Sequence, residues 1–336
     1  MTVRVIVLNW NGRAWLERCL PALRAQRRQA DEVVLVDNAS SDDSVAWVRT
    51  HHPWVQVLAL DRNLGFAEGN NRGATGATTD ALVFLNNDTE VAADWLERLV
   101  AAADADASRA LVTSRIVYWD RPDVIDSAGD GYLRCGGAFK RLHGQSSERA
   151  AQSQEVFGAC GAGFLIRRAW WERLGGFDAS FFMVYEDVDL SYRARLMGGR
   201  VWYAADAVVR HGGSASLGRV SALSVECGQR NLEAVWLVNT PTPLLWRSML
   251  SHAAYTAAAA MAYARQRRLG AWWRGKRAVL HRWRALRARR AEVQATCTID
   301  PELLWAQMTG DWVAVKRAEK AFDFVPAPAG NIRERI

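Results

Sequence analysis

Residues 1–90 alternate short apolar runs with stretches of helical spacing, and each run stops at a cluster of Asn or Asp. Val3 to Leu8 is the first run. From Arg13 to Arg27, Trp15, Leu16, Leu20 and Leu23 recur at helical intervals. Glu32 to Val36 is followed by a second amphipathic stretch with Val45, Trp47 and Val48, then by the runs Val55 to Leu60 and Ala81 to Leu85. Strands alternating with helices make βαβ units, so a mainly parallel sheet flanked by helices is expected. Such sheets take ligands beyond the carboxyl ends of their strands. Here those ends read Asn9-Trp10-Asn11-Gly12, Asp37-Asn38, Asp61-Arg62-Asn63 and Asn86-Asn87-Asp88. One such cluster is ordinary turn chemistry, but their recurrence at every strand end points to a binding edge.

With 336 residues, half of them apolar, the chain can hold one large domain and an appendage. Its five cysteines are scattered, odd in number and without a CxxC pair, which argues against a disulfide framework or a zinc ribbon and for reduced thiols in the cytoplasm. The start, Met1 to Leu8, turns polar too soon for a signal peptide and reads as a buried strand. Two glycine motifs fail on inspection. In Gly158-Ala159-Cys160-Gly161-Ala162-Gly163 the dinucleotide register puts Ile166 where the third glycine belongs. In Gly270 to Lys276 the phosphate-loop spacing is met, but Arg277 stands in place of Ser or Thr and no strand precedes.

The net charge of +7 is unevenly distributed. No acidic residue occurs between Glu233 and Glu292, whereas twelve Arg or Lys do; without them the chain carries 31 basic against 36 acidic residues. Residues 248–264 are charge-free but only weakly apolar, hold His252, and fall short of a membrane span. The arginines that follow are interleaved with Trp272, Trp273 and Trp283, a pattern suited to a helix lying in the headgroup layer of an anionic membrane surface. No nucleic-acid module accompanies them, so nucleic acid is not expected as a partner.

Two apolar runs end abruptly in carboxylates: Phe84-Leu85-Asn86-Asn87-Asp88, and Phe182-Met183-Val184-Tyr185-Glu186-Asp187-Val188-Asp189-Leu190. That pairing suits chemistry in which one acid serves a metal and another acts as a base. Together with Val7-Leu8-Asn9-Trp10-Asn11-Gly12, Val36-Asp37-Asn38-Ala39-Ser40, Asn63-Leu64-Gly65-Phe66-Ala67, Asn70-Asn71-Arg72-Gly73 and His211-Gly212-Gly213-Ser214, they span nearly two-thirds of the chain. In this order the motifs resemble glycosyltransferase family 2, with the GT-A fold, and specifically its bacterial rhamnosyltransferase-like branch.

The resemblance implies an enzyme that moves a sugar from a nucleoside diphosphate donor, with inversion. Expulsion of the diphosphate calls for a divalent cation, Mg²⁺ or Mn²⁺. The family's Asp-x-Asp metal motif falls on Asn86-Asn87-Asp88, so Asp88 alone brings a negative charge and the diphosphate oxygens would complete the ligand set. His211 resembles the family's late histidine, which reaches the metal or the diphosphate. Asn9, Trp10, Asp37, Asn63, Arg72, Asn86 and Asn87 are the expected nucleotide-sugar contacts, with Trp10 stacking on the base and Asp37 on base or ribose. Gly65, Gly69 and Gly73 are expected to let backbone approach the ligand. Asp187 is the expected general base toward the acceptor hydroxyl, Glu186 is expected to orient the base or an acceptor hydroxyl, and Asp189 caps the helix or pairs with Arg193. Both catalytic acids are expected to open an amphipathic helix through Leu190, Tyr192 and Ala194, where its N-terminus stabilises negative charge. The irregular stretch from Asp126 to Gly161 is implied to be an acceptor wall.

The expected organisation is a GT-A catalytic domain over 1–240, a basic, membrane-associating helical extension over 241–325 and a flexible tail over 326–336. dTDP-rhamnose is the favoured donor, and a glycan or lipid-linked intermediate the acceptor. The expected location is cytoplasmic, peripheral on the inner face of the plasma membrane. A non-catalytic, nucleotide- or glycan-binding scaffold of the same fold is the alternative.

Overall fold

In the computed structural model, residues 1–212 and 221–323 are described. The first third builds β1 (Val3–Asn9), α1 (Arg13–Arg24), β2 (Glu32–Asp37), α2 (Ser44–His51), β3 (Gln56–Ala59), α3 (Gly65–Ala74), β4 (Ala81–Asn86), β5 (Thr89–Val91) and α4 (Trp95–Asp104). Next come β6 (Arg109–Tyr118), β7 (Ile125–Ser127), β8 (Asp130–Tyr132), β9 (Ala138–Lys140), β10 (Gln154–Glu155), β11 (Gly163–Arg167), α5 (Arg168–Leu174), α6 (Glu186–Leu196) and β12 (Arg200–His211). Helices complete the chain: α7 (Ala222–Asn239), α8 (Thr242–Arg265), α9 (Leu269–His281), α10 (Trp283–Ala295), α11 (Pro301–Ala306) and α12 (Trp312–Asp323).

The main sheet runs β10-β12-β6-β11-β4-β1-β2-β3, with β5 added to β12 and β7 to β6. Strands β3, β2, β1 and β4 are mutually parallel, as are β6 and β12, whereas β11 is antiparallel to both its neighbours. Its faces are covered by separate apolar clusters. Val3, Val5 and Val7 point to α1 and α4 with Leu16, Leu20 and Leu96; Ile6, Val34, Phe84 and Phe164 point to the other side with Leu190 and Tyr203. Burial on both faces explains why these strands are apolar throughout rather than alternating.

Parallel register sets the polar strand ends side by side: Asn9 lies opposite Asp37, and Leu8 opposite Asn86. Strand β12 is irregular between Ala204 and Val208; beyond that break it pairs with β5, bringing His211 opposite Thr89 and so next to Asp88. The glycines of α3 serve packing. A Cβ on Gly69 would lie 2.6 Å from Leu8 Cδ1, and one on Gly73 2.5 Å from Ile6 Cγ2, so the helix lies close on β1 and these glycines face the sheet rather than a ligand.

Helix α6 is not amphipathic as expected. Val188 through Leu196 are all buried, because α6 is enclosed between the sheet and the C-terminal helices. Its buried arginines are satisfied locally: Arg193 pairs with Asp189 at 2.7 Å, whose other oxygen accepts from Asn239 at 2.9 Å, and Arg195 donates to the Phe157 carbonyl at 2.7 Å. One apolar cluster joins Tyr132, Phe157 and Tyr192 to Val235 of α7, Val279 of α9, Leu286 and Val293 of α10 and Leu304 of α11.

The basic stretch is not one helix but α9 and α10, which bury Ala271, Gly275, Val279, Leu286 and Val293 inward. The second rejected glycine motif lies inside α9. His252, in the charge-free helix α8, is stacked on Trp236 with ring centroids 3.7 Å apart; it bonds the Cys135 carbonyl at 2.8 Å and Glu233 at 2.9 Å, and Glu233 also takes Lys276 of α9. That cluster ties α7, α8 and α9 to the wall around Cys135. Among the described residues no helix is long and apolar enough to cross a membrane. The expected tail, 326–336, and Gly213-Ser214 of the histidine motif lie outside the described residues.

Candidate active site

The strand ends hold one another through side chains. Asn9 Nδ2 donates to Asp37 Oδ1 at 2.9 Å, and Asn9 Oδ1 accepts from Asn87 Nδ2 at 2.8 Å. Asp37 takes Ser40 through both its backbone N–H, at 2.9 Å, and its hydroxyl, at 2.6 Å. Beside them Trp10 stands 54% exposed, its ring open to a ligand. Asn86 turns the chain after β4, its carbonyl accepting the Thr89 hydroxyl at 2.6 Å. Asn63 Oδ1 accepts the Gly65 N–H at 2.8 Å, holding the entry to α3. Arg72 is not brought to this edge: it lies two turns along α3, exposed and paired with Glu68 at 2.7 Å.

From this edge a chain of charged groups leads inward. Asp88 Oδ1 lies 3.3 Å from His211 Nε2, and His211 Nδ1 lies 2.8 Å from Asp126 Oδ2. Asp126 in turn accepts from Lys140 Nζ at 2.6 Å, and its carbonyl from His143 Nδ1 at 2.8 Å. Burial opposes a charged imidazole at His211, but the bonds to Asp126 and Asp88 hold its pKa up to about 9. Burial likewise opposes the Asp126 carboxylate, yet Lys140 and His211 keep it ionised far below the usual carboxylate range.

Asp126 opens onto a cavity of about 530 Å³, lined also by Tyr118, Asp130, Ala138, Phe139, Lys140, His143, Val184, Tyr185, Asp187, Val188 and Glu319. Asp187, at the N-terminus of α6, is held by the Gly161 N–H on Oδ2 at 2.7 Å and the Val188 N–H on Oδ1 at 2.8 Å. A Cβ at 161 would lie 2.9 Å from Asp187 Oδ2, so a larger residue there would push this carboxylate from its place; this is the use of the first rejected glycine run. Burial raises the Asp187 pKa above the ordinary aspartate value despite those bonds. Burial, with the Asp187 charge beside it, also raises Asp130 and Glu186 well above theirs. Glu186 is buried with Oε2 lacking any partner among the described residues, and is not among the cavity-lining residues.

The turn into α6 is strained. Phe182, Val184 and Tyr185 have φ of 63°, 67° and 77°, a region that β-branched and bulky residues rarely occupy. Asn231 of α7 holds it there, its amide lying 3.0, 2.9 and 2.7 Å from the carbonyls of Phe181, Met183 and Val184.

The reading from sequence did not single out Asp126, Asp130, Lys140, His143 or Asn231. The available signal was Asp126-Ser127-Ala128-Gly129-Asp130, two acids in an otherwise small and apolar stretch.

Comparison with known proteins bears on the family and the fold. The family model Glycosyl transferase family 2 matches residues 4–175. Human polypeptide N-acetylgalactosaminyltransferase 16 is 29% identical over 213 residues, 58% of this chain; the aligned region spans only 37% of that relative. The N-acetylglucosaminyl-diphospho-decaprenol L-rhamnosyltransferase of Mycobacterium tuberculosis is 26% identical over 238 residues, covering 64% of this chain and 77% of that enzyme. Among solved structures, the mannosyltransferase PcManGT from Pyrobaculum calidifontis, in complex with GDP-Man and Mn²⁺, superposes with a TM-score of 0.53 at 20% identity, covering 95% of this chain and 86% of that one. GalNAc-T7 with UDP, GalNAc and Mn²⁺ gives 0.57 at 19% identity over 71% of this chain and 48% of its own. The expected GT-A fold is therefore the fold found, and the chain belongs to glycosyl transferase family 2.

Proposed function

We propose that this protein is an inverting, metal-assisted glycosyltransferase whose donor binds on the Asn9–Asp37–Asn87 edge and whose acceptor enters the 530 Å³ cavity. The observation that carries this reading is Asp126. It faces the cavity together with Asp187, yet is bonded through His211 to Asp88 at the donor edge, so one continuous site joins the two.

Asp187 would take the proton of the acceptor hydroxyl through a carboxylate oxygen. Its raised pKa makes it a stronger base than an ordinary aspartate, and the Gly161 N–H fixes its orientation. Asp187 and donor lie on opposite sides of the reacting carbon in a single displacement, which inverts configuration. Glu186, buried behind it, would act by orientation and by its effect on the Asp187 charge.

For a divalent cation, the residues fit as part of a site. Asp88 Oδ1 and His211 Nε2 converge; to hold a cation there His211 would give up the Nε2 proton that otherwise bonds Asp88, and Asp126 on Nδ1 orients the ring in the manner of a carboxylate supporting a histidine ligand. Among the described residues no group of three or more such side chains could hold the ion alone, so donor diphosphate oxygens would complete it. The cation would offset charge on the departing diphosphate. That PcManGT and GalNAc-T7 were solved with Mn²⁺ supports the choice of metal.

The rhamnosyltransferase relative keeps dTDP-rhamnose as the favoured donor and a lipid-linked glycan as the favoured acceptor class. Docking on anionic lipid from the cytoplasmic side is supported by the outer faces of the C-terminal helices. Trp246, Leu250 (83% exposed) and Met261 on α8, with Trp273 and Trp283, lie among exposed arginines, several of which are already paired, such as Arg274 with Glu226.

The deciding experiment incubates the full chain with UDP-, GDP- and dTDP-sugars, with and without Mn²⁺, and reads saccharide transfer and anomeric configuration. A retained configuration would overturn the single displacement. Nucleotide-sugar binding with no transfer to any saccharide would favour a non-catalytic scaffold. Flotation with anionic vesicles, lost at high salt apart from an apolar remainder, supports the membrane clause; failure to float removes it.

A further inference from the structure

Helix α12 crosses from the C-terminal helices to the active-site cavity. Its approach is fixed by a strand-like contact: the Thr309 N–H donates to the Tyr132 carbonyl and the Arg134 N–H to the Thr309 carbonyl, both at 2.9 Å. At its start, Trp312 meets Tyr255 edge-on with ring centroids 5.4 Å apart, and Val315 packs with Leu133, Cys135 and Leu232. At its end, Phe322 lies 5.6 Å from the Tyr118 ring and 5.0 Å from His143, both of them cavity residues. Between these anchors Glu319 faces the cavity, and among the described residues it is the one lining residue that comes from a helix later than α6.

The cavity's own chemistry selects among acceptors. Lys140 is committed to Asp126 at 2.6 Å, and Glu319 Oε2 pairs with Lys316 of its own helix at 2.7 Å, which leaves Glu319 Oε1 and the carboxyls of Asp187 and Asp130 around the space. Phe139 and Tyr185 supply apolar faces. Carboxylates accept from sugar hydroxyls, and aromatic rings cover the C–H face of a sugar ring. An ionised Asp187 would meet a carboxylate or phosphate on the acceptor with like charge, while Asp126 keeps Lys140 and Glu319 keeps Lys316 paired, so neither lysine is left to offset it.

We propose that α12 is the acceptor-selecting wall of the site: Glu319 accepts a hydroxyl of an uncharged terminal sugar and turns away acidic ones, while Phe322 holds the helix against Tyr118 and His143. This rests on the transferase reading above and extends it to residues outside the family-matched segment, which ends at residue 175.

The test uses the full chain, the nucleotide sugar that the wild type transfers, and two oligosaccharide acceptors that differ only in a neutral or a uronic-acid terminus. Glu319→Gln should raise KM for the neutral acceptor about tenfold, the loss of one hydrogen bond to a charged group, and shrink the preference over the acidic acceptor by a similar factor. Its Kd for the nucleotide should stay within about twofold, as expected for a distant site. Phe322→Ala should raise KM for both acceptors. If Glu319→Gln keeps the wild-type KM and the wild-type preference while binding nucleotide normally, the proposal is overturned, whether or not Phe322→Ala folds. If the wild type binds nucleotide sugar yet glycosylates neither acceptor nor any other saccharide, the transferase reading fails and this proposal falls with it.

Discussion

The proposed donor edge and the proposed acceptor wall of this site are assembled differently. At the donor edge, Asn9, Asp37, Ser40 and Asn87 come from successive strand ends, are set adjacent by parallel register, and bond one another. At the wall, links are made between distant stretches. Asp126 reaches His211 across 85 residues, Asn231 reaches the Val184 carbonyl across 47, and Thr309 bridges to Leu133. A donor edge built from local units tolerates change elsewhere in the chain. The proposed acceptor wall, which depends on the C-terminal helices, does not, and the turn before Asp187 carries backbone strain that α7 must restrain.

This contrast can be broken most directly at Asp187. Asp187→Asn should lower turnover by roughly 10² to 10⁴, the usual contribution of a positioned base, while nucleotide affinity changes only a few-fold. Single-turnover rates and nucleotide titration check both halves. A variant that keeps most of its rate would place the base elsewhere.

Asp126→Asn sits where the two regions join. It should weaken Mn²⁺-dependent nucleotide binding by about ten- to a hundredfold, the size of effect seen when a histidine ligand loses its supporting carboxylate. Nucleotide binding without metal should hardly change. Equal losses with and without Mn²⁺ would make Asp126 a structural part of the wall rather than a support for His211.

Asn231→Ala asks how far α7 controls the turn. It leaves the Phe181, Met183 and Val184 carbonyls without their amide partner, so the protein should lose about 1–3 kcal/mol in denaturant unfolding. Turnover should fall more than nucleotide affinity. A matching loss of nucleotide affinity would mean that the two regions are mechanically coupled.

The smallest expected effects are in pH dependence. Asp187 must be ionised to accept a proton, and burial raises its pKa, so the acid limb of the rate profile should lie above the ordinary aspartate value of about 3.9. Glu186 also has a raised pKa in the folded state, through burial and then the Asp187 charge. Its contribution to stability is therefore full below the unfolded-state value and is lost as pH rises through the folded one. Glu186→Gln should be the more stable protein at neutral pH, with a flatter stability profile. A less stable variant at neutral pH would show that Glu186 is satisfied as an anion.

Much of the donor region was legible in the sequence because its signals are local. Apolar runs such as Val3 to Leu8 and Ala81 to Leu85, alternating with stretches of helical spacing, read as doubly buried strands, and Asn or Asp at each of their ends marks the carboxyl edge of a parallel sheet. The pairing of Asp189 with Arg193 was legible too, since helical spacing alone brings them together. Other local readings went astray where packing decided the outcome. Helix α6 is buried all round, because the C-terminal helices cover the face that an isolated amphipathic helix would show to water. Gly69 and Gly73 serve contact with β1, and the Arg/Trp stretch folds into two helices whose inner sides are core.

By itself, then, the sequence determined the sheet, its polar carboxyl edge and the carboxylates at its rim, because unbroken apolar runs, helical spacing and the chemistry of strand ends are properties of neighbouring residues. Only tertiary structure decided that Asp126 supports His211, that Asn231 restrains the turn before Asp187, and that Glu319 reaches the cavity. Those contacts join residues dozens to more than a hundred positions apart, and a contact of that kind leaves no periodic trace along the chain. It exists because burial of one shared apolar cluster, from Tyr132 to Leu304, draws the C-terminal helices onto α6.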